Sequence, residues 1–416
     1  MAVKRRLLGA LGRARILLRQ KNTAGYQEAA RVLQQARELC SQGLRGSCAF
    51  FYEEFFDGLM GAAGELARGE QKEAGEIISL SEEIIRTLTG RLQQETAFRK
   101  EAFFLPYKAS MWDSLESIWR AANEDTGHCI TYVIPIPYCD RNPDGTVKEW
   151  HCERALFPKY VPTIDWQSVD LKSMHPEVIF THNPYDSFNA ATSIEARYYS
   201  QNLREQSELL VYVPYFLTAR RWPELQVSMS VYQNMDFMVI QKEHMQIAPN
   251  QFSQIKENDI RYFEDYLPPD KLVSLGSPKI DKIYYCEQHP KIPKKWLDFI
   301  DGRKVIFYNT SISGILQQGQ RFLKKMNYIF DTFSRRKDIV LLWRPHPLME
   351  SCVQSVRPEL YEEYMALKQR FLMEQIGIFD DTPDLDMTMA ICDGYLGEAS
   401  SSVVSMFGYA GKPVFL

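Results

Sequence analysis

Residues 304–347 read KVIFYNTSISGILQQGQRFLKKMNYIFDTFSRRKDIVLLWRPHP, with two apolar stretches on either side of a helical one. The stretches at 304–309 and 338–343 are rich in β-branched and aromatic residues, which favours buried strands. The segment 318–333 between them has the apolar spacing of a helix. A strand, a helix and a second strand in this order predict a parallel pair joined by a crossover helix.

The same alternation extends from about residue 100 to the end of the chain. We predict strands at 101–106, 129–136, 177–181, 209–213, 237–240, 272–275, 304–309, 338–343, 376–379, 391–396 and 413–416. Helical stretches lie among them at 111–123, 193–209, 318–333 and 358–374. Eleven strands are more than a single sheet usually contains. The segment 276–300 is rich in Pro and Lys, which is typical of a connection between domains. The sequence therefore predicts an α/β fold with two doubly wound domains, 99–285 and 286–416, and ligands at the carboxyl ends of their strands, facing the cleft.

Residues 1–98 differ in texture from the rest. They contain no proline, and Ala, Leu, Gln, Glu and Arg dominate, which predicts an all-α domain of three or four helices. The first twenty residues are basic, and Leu7, Leu11, Ala14 and Leu18 share one helical face. Two interpretations stay open: a helix that packs on its neighbours, or one that rests on an anionic membrane surface.

The composition of the chain argues against several classes of function. The 416 residues carry a net charge of −4, so no positive field is available to hold nucleic acid. The eight cysteines are scattered without metal-site spacing, which favours free thiols in a reducing cytoplasm. No apolar run approaches the length of a membrane span.

Residues 140–145 (DRNPDG) resemble the start of a calcium loop, but His151 stands where that loop needs Glu, so we predict a hairpin turn.

The motif RPHP follows the predicted strand at 338–343. Its prolines stop the strand and present Arg344 and His346 at the edge where open α/β sheets hold ligands. Arg suits phosphate oxygens, and a histidine there can give a hydrogen bond or a proton to a leaving phosphate. The alternative is a rigid turn with a surface histidine.

Polar turns follow other strands of the second half and predict a nucleotide-diphosphate pocket without a glycine-rich phosphate loop. The candidate donor-binding residues in these turns are Gly276, Ser277, Lys279, Thr310, Ser311, Glu398, Ser400, Ser401 and Ser402. Serines at a helix start can cradle an anion or simply cap the helix, and Glu398 can bind ribose or polyol hydroxyls.

In the first half, His182 follows the predicted strand at 177–181 and is the candidate general base. Asn183 and Asp186 lie close enough in sequence to orient its ring. Lys108 and Ser110, after the strand at 101–106, and Asp186 are candidates for contact with an acceptor. A capped turn is the alternative for this region.

These motifs together resemble the CDP-glycerol glycerophosphotransferase family, the teichoic-acid polymerases and primases with a GT-B fold. The likeness covers residues 100–416 in motif order, through THNPYD (181–186), GSPKID (276–281), RPHP (344–347) and CDGYLGEASSS…GKP (392–413). His182 and His346 look like the two motif histidines of the family. Lys279 replaces an arginine of the family's GxPRxD turn, and Gly397 to Ser401 stand where the family has TDYSS, with Ser405 at its later aspartate.

The resemblance implies a GT-B-like pair of Rossmann-type domains and a transferase that needs no metal. It would move glycerol phosphate, or a related polyol phosphate, from a CDP-glycerol or similar CDP-polyol donor to a glycan or lipid-linked polymer acceptor of teichoic-acid type in the cell wall. His182 would take the acceptor proton while CMP leaves. Two alternatives stay open: a glycosyltransferase that uses a nucleotide sugar, and a noncatalytic scaffold. The expected location is cytoplasmic, with peripheral attachment to the inner face of the plasma membrane as an option.

Overall fold

The computed structural model describes residues 2–69, 73–142, 144–187, 192–217, 222–223, 227–241, 246–248, 261–382, 385–399 and 402–416. By its contacts the chain divides into two compact units. Unit 1 comprises Met1–Tyr215 and Pro223–Leu275, and unit 2 comprises Phe216–Trp222 and Gly276–Leu416. The helical N-terminal region falls within unit 1, and the three-part division at residues 98 and 285 stays a prediction.

Four helices form the described N-terminal region: α1 (Ala2–Arg19), α2 (Thr23–Gly43), α3 (Gly46–Arg68) and α4 (Ala74–Gln94). The predicted apolar face of α1 is fully buried and packs on α2 and α4, and Leu7, Leu11, Ala14 and Leu18 belong to one core cluster with residues of α2, α3 and α4. The idea that this face rests on a membrane is therefore wrong. Among the described residues, no helix is both long and apolar enough to span a bilayer.

Short helices and strands follow. The further described α-helices are α5 (Glu116–Glu124), α6 (Leu171–Met174), α7 (Ser200–Glu205), α8 (Ser230–Asn234), α9 (Pro278–Gln288), α10 (Lys294–Ile300), α11 (Ile312–Gln318), α12 (Gln320–Ser334), α13 (Met349–Val356), α14 (Tyr361–Met373), α15 (Leu385–Ile391) and α16 (Ser402–Tyr409). The described strands are β1 (Lys100–Leu105), β2 (Cys129–Val133), β3 (Tyr138–Arg141), β4 (Val147–His151), β5 (Val178–Thr181), β6 (Thr192–Ile194), β7 (Leu209–Tyr212), β8 (Trp222–Pro223), β9 (Phe237–Ile240), β10 (Gln246–Ala248), β11 (Arg261–Tyr262), β12 (Leu272–Ser274), β13 (Lys304–Thr310), β14 (Ile339–Pro345), β15 (Ile378–Phe379), β16 (Gly394–Gly397) and β17 (Val414–Phe415).

The main sheet of unit 1 has the order β12-β9-β7-β5-β1-β2, and every neighbouring pair is parallel. Alternate residues face opposite sides: Phe103 and Leu105 belong to one core cluster, and Ala102 and Phe104 to another. Both faces of the sheet are therefore covered, as a doubly wound fold requires. From β1 the chain goes to β2 on one side and β5 lies on the other, so the topological switch point lies between β1 and β5.

The main sheet of unit 2 has the order β15-β14-β13-β16-β17 and is also parallel throughout. Its switch point lies between β13 and β16. One face packs around Trp343 and Phe330, and the other around Phe307 and Phe407. The predicted fold class, two Rossmann-type sheets with an all-α N-terminal region, is confirmed, and each of the eleven predicted strands has a counterpart.

Two smaller sheets complete the described strands. The order β4-β3-β6 is antiparallel, and β3 and β4 form the predicted hairpin, closed by a hydrogen bond from Asn142 N to Thr146 O at 2.9 Å. The second sheet has the order β11-β10-β8.

The helix predictions differ from the structure in detail. The helix predicted at 193–209 is wrong at its start, because residues 192–194 pair with β3 as β6 and only Ser200–Glu205 is α-helical. The helix predicted at 318–333 begins at Gln320, since Gly319 has φ +52° and separates α11 from α12. The helix predicted at 111–123 begins with a 3₁₀ segment, Ala109–Ser114.

Candidate functional site

Three strand ends of the unit 2 sheet are joined by hydrogen bonds. His346, after β14, donates its backbone N–H to the carbonyl oxygen of Thr310 at the end of β13, at 3.0 Å. Ser311 donates its backbone N–H to the Glu398 carboxylate, after β16, at 3.3 Å, and its hydroxyl also bonds that carboxylate. The structure therefore brings Thr310, Ser311, Glu398 and the RPHP turn together in one polar rim at the carboxyl edge of the sheet.

His346 has one ring nitrogen bound to the backbone. Its Nδ1 accepts the N–H of Leu348 at 3.2 Å, and the side chain is exposed. A backbone N–H can only donate, so in the neutral ring the proton lies on Nε2. The RPHP turn thus presents a ring N–H donor at the carboxyl end of a buried parallel strand.

Arg344, by contrast, is committed to the protein. Its side chain is 11% exposed and pairs with the fully buried carboxylate of Asp380, with Nη1 to Oδ2 at 2.5 Å. Nη2 donates to the carbonyl oxygen of Thr382 at 2.7 Å. Asp380 is further bonded to the hydroxyls of Thr382 and Thr388. Arg344 therefore fixes the turn more than it offers a free fork to phosphate oxygens.

A cavity of about 210 Å³ opens at the carboxyl ends of β14 and β15. Its lining includes Arg344, His346, Glu350, Lys368 and Phe379. Lys368 Nζ lies 2.7 Å from a Glu350 carboxylate oxygen and 5.4 Å from the centre of the Phe379 ring. The sequence does not reveal Lys368, since it is one of several charged residues on the predicted helix at 358–374.

The Glu398 carboxylate lies beside the start of α11. A Cβ on Gly314 would come within 2.0 Å of its Oε1, so the carboxylate packs against the start of α11 through the space that this glycine leaves. Ser311 Oγ also accepts the N–H of Gly314 and lies 3.0 Å from Ser313 Oγ. A carboxylate beside hydroxyls repels a phosphate and attracts sugar hydroxyls. This edge of the rim therefore fits the ribose or polyol role predicted for Glu398.

The structure places the other candidate donor-binding residues in different surroundings. Thr310 is fully buried and its hydroxyl accepts from Trp343 Nε1 at 3.1 Å, so its predicted ligand role is not supported. Ser400 and Ser401 lie outside the described residues, and for Ser402 only the backbone, at the start of α16, is described. Gly276 has φ +88° and turns the chain into α9, which begins after Ser277 and packs on α15. The roles of Gly276, Ser277 and Lys279 stay predictions.

His182 lies at the switch point of the unit 1 sheet and is completely buried. Its Nε2 accepts the N–H of Tyr107 at 3.1 Å. The Ser114 hydroxyl donates to Met111 O at 2.7 Å, so its oxygen accepts from His182 Nδ1 at 2.8 Å. Both nitrogens are therefore used inside the protein, with the proton on Nδ1. In this conformation His182 has no nitrogen free to take a proton from an acceptor, so the predicted general-base role is not supported.

Asp186 does not orient the His182 ring. It is buried, and its carboxylate accepts the N–H of Ser200 at 3.0 Å and the Ser200 hydroxyl at 2.7 Å at the start of α7. Burial raises the pKa of Asp186, against the opposing effect of the Ser200 hydrogen bonds. Asp186 is a structural cap, and its predicted contact with an acceptor is not supported.

Lys108 and Ser110 follow β1. The Lys108 Nζ lies 4.7 Å from the centre of the Tyr138 ring and 5.7 Å from that of Tyr107. Ser110 is exposed in the 3₁₀ segment. The position of Tyr107, directly after a predicted strand, predicts a residue of the core or the cleft wall, and its side chain is buried. Tyr138, on β3, was not identified from the sequence.

No protein-family model matches the sequence, and no curated protein matches it. Solved structures similar to this chain include a Listeria monocytogenes protein described as a UDP-N-acetylglucosamine 2-epimerase, with 14% identity, coverage of 76% of this chain and 78% of that one, and a TM-score of 0.47. MnaA of S. aureus, solved with UDP, has 11% identity, coverage of 76% and 78%, and a TM-score of 0.44. The wall teichoic acid polymerase TagF has 12% identity, coverage of 76% and 69%, and a TM-score of 0.40.

The order and direction of the strands in the two sheets show the fold.

Proposed function

We propose that the protein is a transferase that binds a nucleotide-diphosphate donor at the polar rim of unit 2. The observation that carries the proposal is the geometry of His346, whose Nδ1 is fixed by the Leu348 N–H so that the exposed ring offers its Nε2–H. A fixed, solvent-facing N–H donor at the carboxyl edge of a Rossmann-type sheet suits a phosphate oxygen.

The groups near His346 would bind different parts of the donor. Lys368 brings positive charge to the cavity that His346 also lines, and its partner Glu350 keeps it in place. Glu398 and Ser311, at the other end of the rim, accept and donate to hydroxyls of a ribose or polyol. Arg344 positions the turn through Asp380. Because phosphoryl transfer depends mainly on positioning and charge stabilisation, this arrangement needs no covalent intermediate with the protein.

The donor that we favour is CDP-glycerol or a related CDP-polyol, and the acceptor is a glycan or a lipid-linked polymer of teichoic-acid type. The resemblance of RPHP, GSPKID and THNPYD to the CDP-glycerol glycerophosphotransferases supports this choice. An acceptor hydroxyl oxygen would bond to the β-phosphorus while the bond to the CMP oxygen breaks. CMP leaves with a hydrogen bond from His346 Nε2–H, and the acceptor proton passes to solvent.

A second candidate is a glycosyltransferase that uses a nucleotide sugar. The Glu398 carboxylate favours it, since a carboxylate bonded to hydroxyl groups at the rim is equally suited to a hexose. The two functions share the rim and differ in the electrophile, which is phosphorus in one and the anomeric carbon in the other.

The free thiols of the eight cysteines are typical of a reducing compartment, so we include a cytoplasmic location in the proposal.

A donor screen with nucleotide release as the readout tests the proposal. We expect the protein to release CMP from CDP-glycerol when a glycan acceptor is present. Turnover of a UDP-sugar with no release from any CDP-polyol would replace the favoured donor by the second candidate. Calorimetry with CDP and CMP completes the test, because a noncatalytic scaffold with a degenerate rim would bind neither nucleotide.

A further inference from the structure

Three strand ends of the unit 1 sheet carry aromatic side chains around His182. The Tyr107 ring, after β1, lies 5.3 Å from the imidazole centre, and the Tyr215 ring, after β7, lies 6.2 Å from it. Tyr185, after β5, places its hydroxyl 3.1 Å from that of Tyr215. The tyrosine cluster Tyr107, Tyr185 and Tyr215 thus lies at the carboxyl edge, where doubly wound sheets bind ligands.

Lys108 adds a positive charge to this edge. Its side chain is half-buried, and its ammonium lies over the rings of Tyr138 and Tyr107. Among the described residues, no carboxylate oxygen lies within 4.0 Å of its Nζ, while many other basic residues of the chain have such a partner. Aromatic faces stabilise a cation without neutralising it, so Lys108 keeps its charge for an external anion.

The backbone on both sides of Lys108 is fixed. Tyr107 donates its N–H to His182 at 3.1 Å, and Ala109 donates its N–H to the Glu153 carboxylate at 2.8 Å. Tyr138 donates its hydroxyl to the other oxygen of Glu153 at 2.6 Å, which also fixes the ring below the ammonium. The turn therefore holds Lys108 in a set position, a condition for selective binding.

We propose that Lys108 anchors a phosphate-binding site in unit 1, with the tyrosine cluster as its wall, for a phosphorylated polyol or sugar. An ammonium gives strong charge-assisted hydrogen bonds to phosphate oxygens, and tyrosine rings and hydroxyls suit the carbon skeleton and hydroxyls of such a ligand. In this assignment His182 and Glu153 are positioning residues that hold the turn. The site requires only a phosphate-bearing ligand; its interpretation as the acceptor site rests on the proposed function.

Calorimetric titration of the full chain with glycerol 1-phosphate tests the site, with glycerol as the uncharged control ligand. We expect saturable binding of glycerol 1-phosphate and none of glycerol. Lys108→Met should weaken binding at least about tenfold, since it removes the charge and keeps an apolar stem. Lys108→Arg, which keeps the charge, should bind within about threefold of the unchanged protein.

The matched control is Lys100→Met, because Lys100 is exposed at the other end of the same strand and its loss changes the net charge equally. It should leave binding unchanged, and so should His346→Ala, which alters only the proposed donor site. Equal losses of binding in Lys100→Met and Lys108→Met, or unchanged binding in Lys108→Met, would overturn the proposal. It would also be overturned if the protein bound neither glycerol 1-phosphate nor phosphatidylglycerol vesicles. Because His346→Ala is silent here, failure of the donor chemistry and failure of this site are distinguishable.

A phosphate group of this kind also occurs on lipids. Co-sedimentation with phosphatidylglycerol vesicles, against phosphatidylcholine vesicles, forms the second arm. Loss of vesicle binding in Lys108→Met would support a lipid-borne ligand, and loss of glycerol 1-phosphate binding would support a soluble one.

Discussion

His182 and His346 hold equivalent places in two Rossmann-type sheets, yet their surroundings give them different chemistry. Each follows the carboxyl end of a parallel strand in its own unit. His182 is fully buried with both nitrogens bonded, whereas His346 is exposed with only Nδ1 bonded. A histidine after a strand is therefore not a catalytic group by position alone, because the groups that bind its ring nitrogens decide its chemistry.

The same contrast holds for the charges beside the two histidines. In unit 2 the Arg344 side chain pairs with the buried Asp380 carboxylate, and Lys368, itself paired with the part-exposed Glu350, is the more exposed of the two cations. In unit 1 the carboxylate of Asp186 caps α7, and Lys108 keeps its charge on aromatic rings. In both units a charged residue of the histidine motif has a structural role, and a lysine outside the motif lies at the candidate site.

The largest effect that would separate the two histidines is the loss of activity in His346→Ala. Removing a positioned proton or hydrogen-bond donor should lower kcat for nucleotide release by about 10² to 10⁴-fold. Its free energy of unfolding should change by less than about 0.5 kcal/mol, because the side chain is exposed. His289→Ala is the matched control, since His289 is an exposed histidine of unit 2 outside the rim. Full activity in His346→Ala would remove the distinction.

We expect Asp380→Asn to destabilise the RPHP turn that positions His346. The substitution keeps the size of the side chain but leaves the buried Arg344 without its counterion, which should lower the free energy of unfolding by about 3 to 5 kcal/mol in urea denaturation. Asp338→Asn breaks the solvent-exposed pair with Arg336 and should change the free energy of unfolding far less than Asp380→Asn does. Equal effects in the two variants would show that Arg344 does not depend on Asp380.

His182→Ala should act on stability where His346→Ala does not. It leaves the buried N–H of Tyr107 without an acceptor and opens a cavity, so we expect a loss of about 2 to 4 kcal/mol in the free energy of unfolding. Urea denaturation measures it against His346→Ala as the control. An unchanged midpoint with abolished activity would restore the general-base role to His182.

The smallest expected effect concerns pH and Asp186. Because burial raises its pKa, the folded protein binds this proton more tightly than the unfolded chain. Its contribution favours folding below the ordinary pKa of about 4 and is lost as pH rises through the raised pKa. The difference in stability between the unchanged protein and Asp186→Asn should therefore shift in favour of the unchanged protein as the pH falls from 7 toward 4.

Between its ordinary and its raised pKa, the titration of Asp186 changes the free energy of unfolding by at most about 1.4 kcal/mol per pH unit. Thermal unfolding at several pH values compares the two proteins. Parallel stability curves for the two would show that Asp186 does not titrate differently in the folded state.

The sheets could be predicted from the sequence because buried parallel strands are continuous apolar runs that the local pattern reveals. The contacts of the candidate site could not. His182 finds Tyr107 and Ser114 at separations of 75 and 68 residues, and Ser311 finds Glu398 at 87. These pairs depend on which strands become neighbours, and RPHP or THNP carries no information about the register of the partner strand.

Long-range ¹H–¹⁵N NMR of the two imidazoles in the full chain can distinguish the two histidines, with His182→Gln and His346→Gln spectra to assign the signals. We expect a neutral His182 ring with its proton on Nδ1 and no response to CDP. We expect a His346 ring that carries its proton on Nε2 in the neutral form and whose signals shift when CDP is added. A proton on Nε2 of His182 together with a CDP response there, and none at His346, would contradict this distinction.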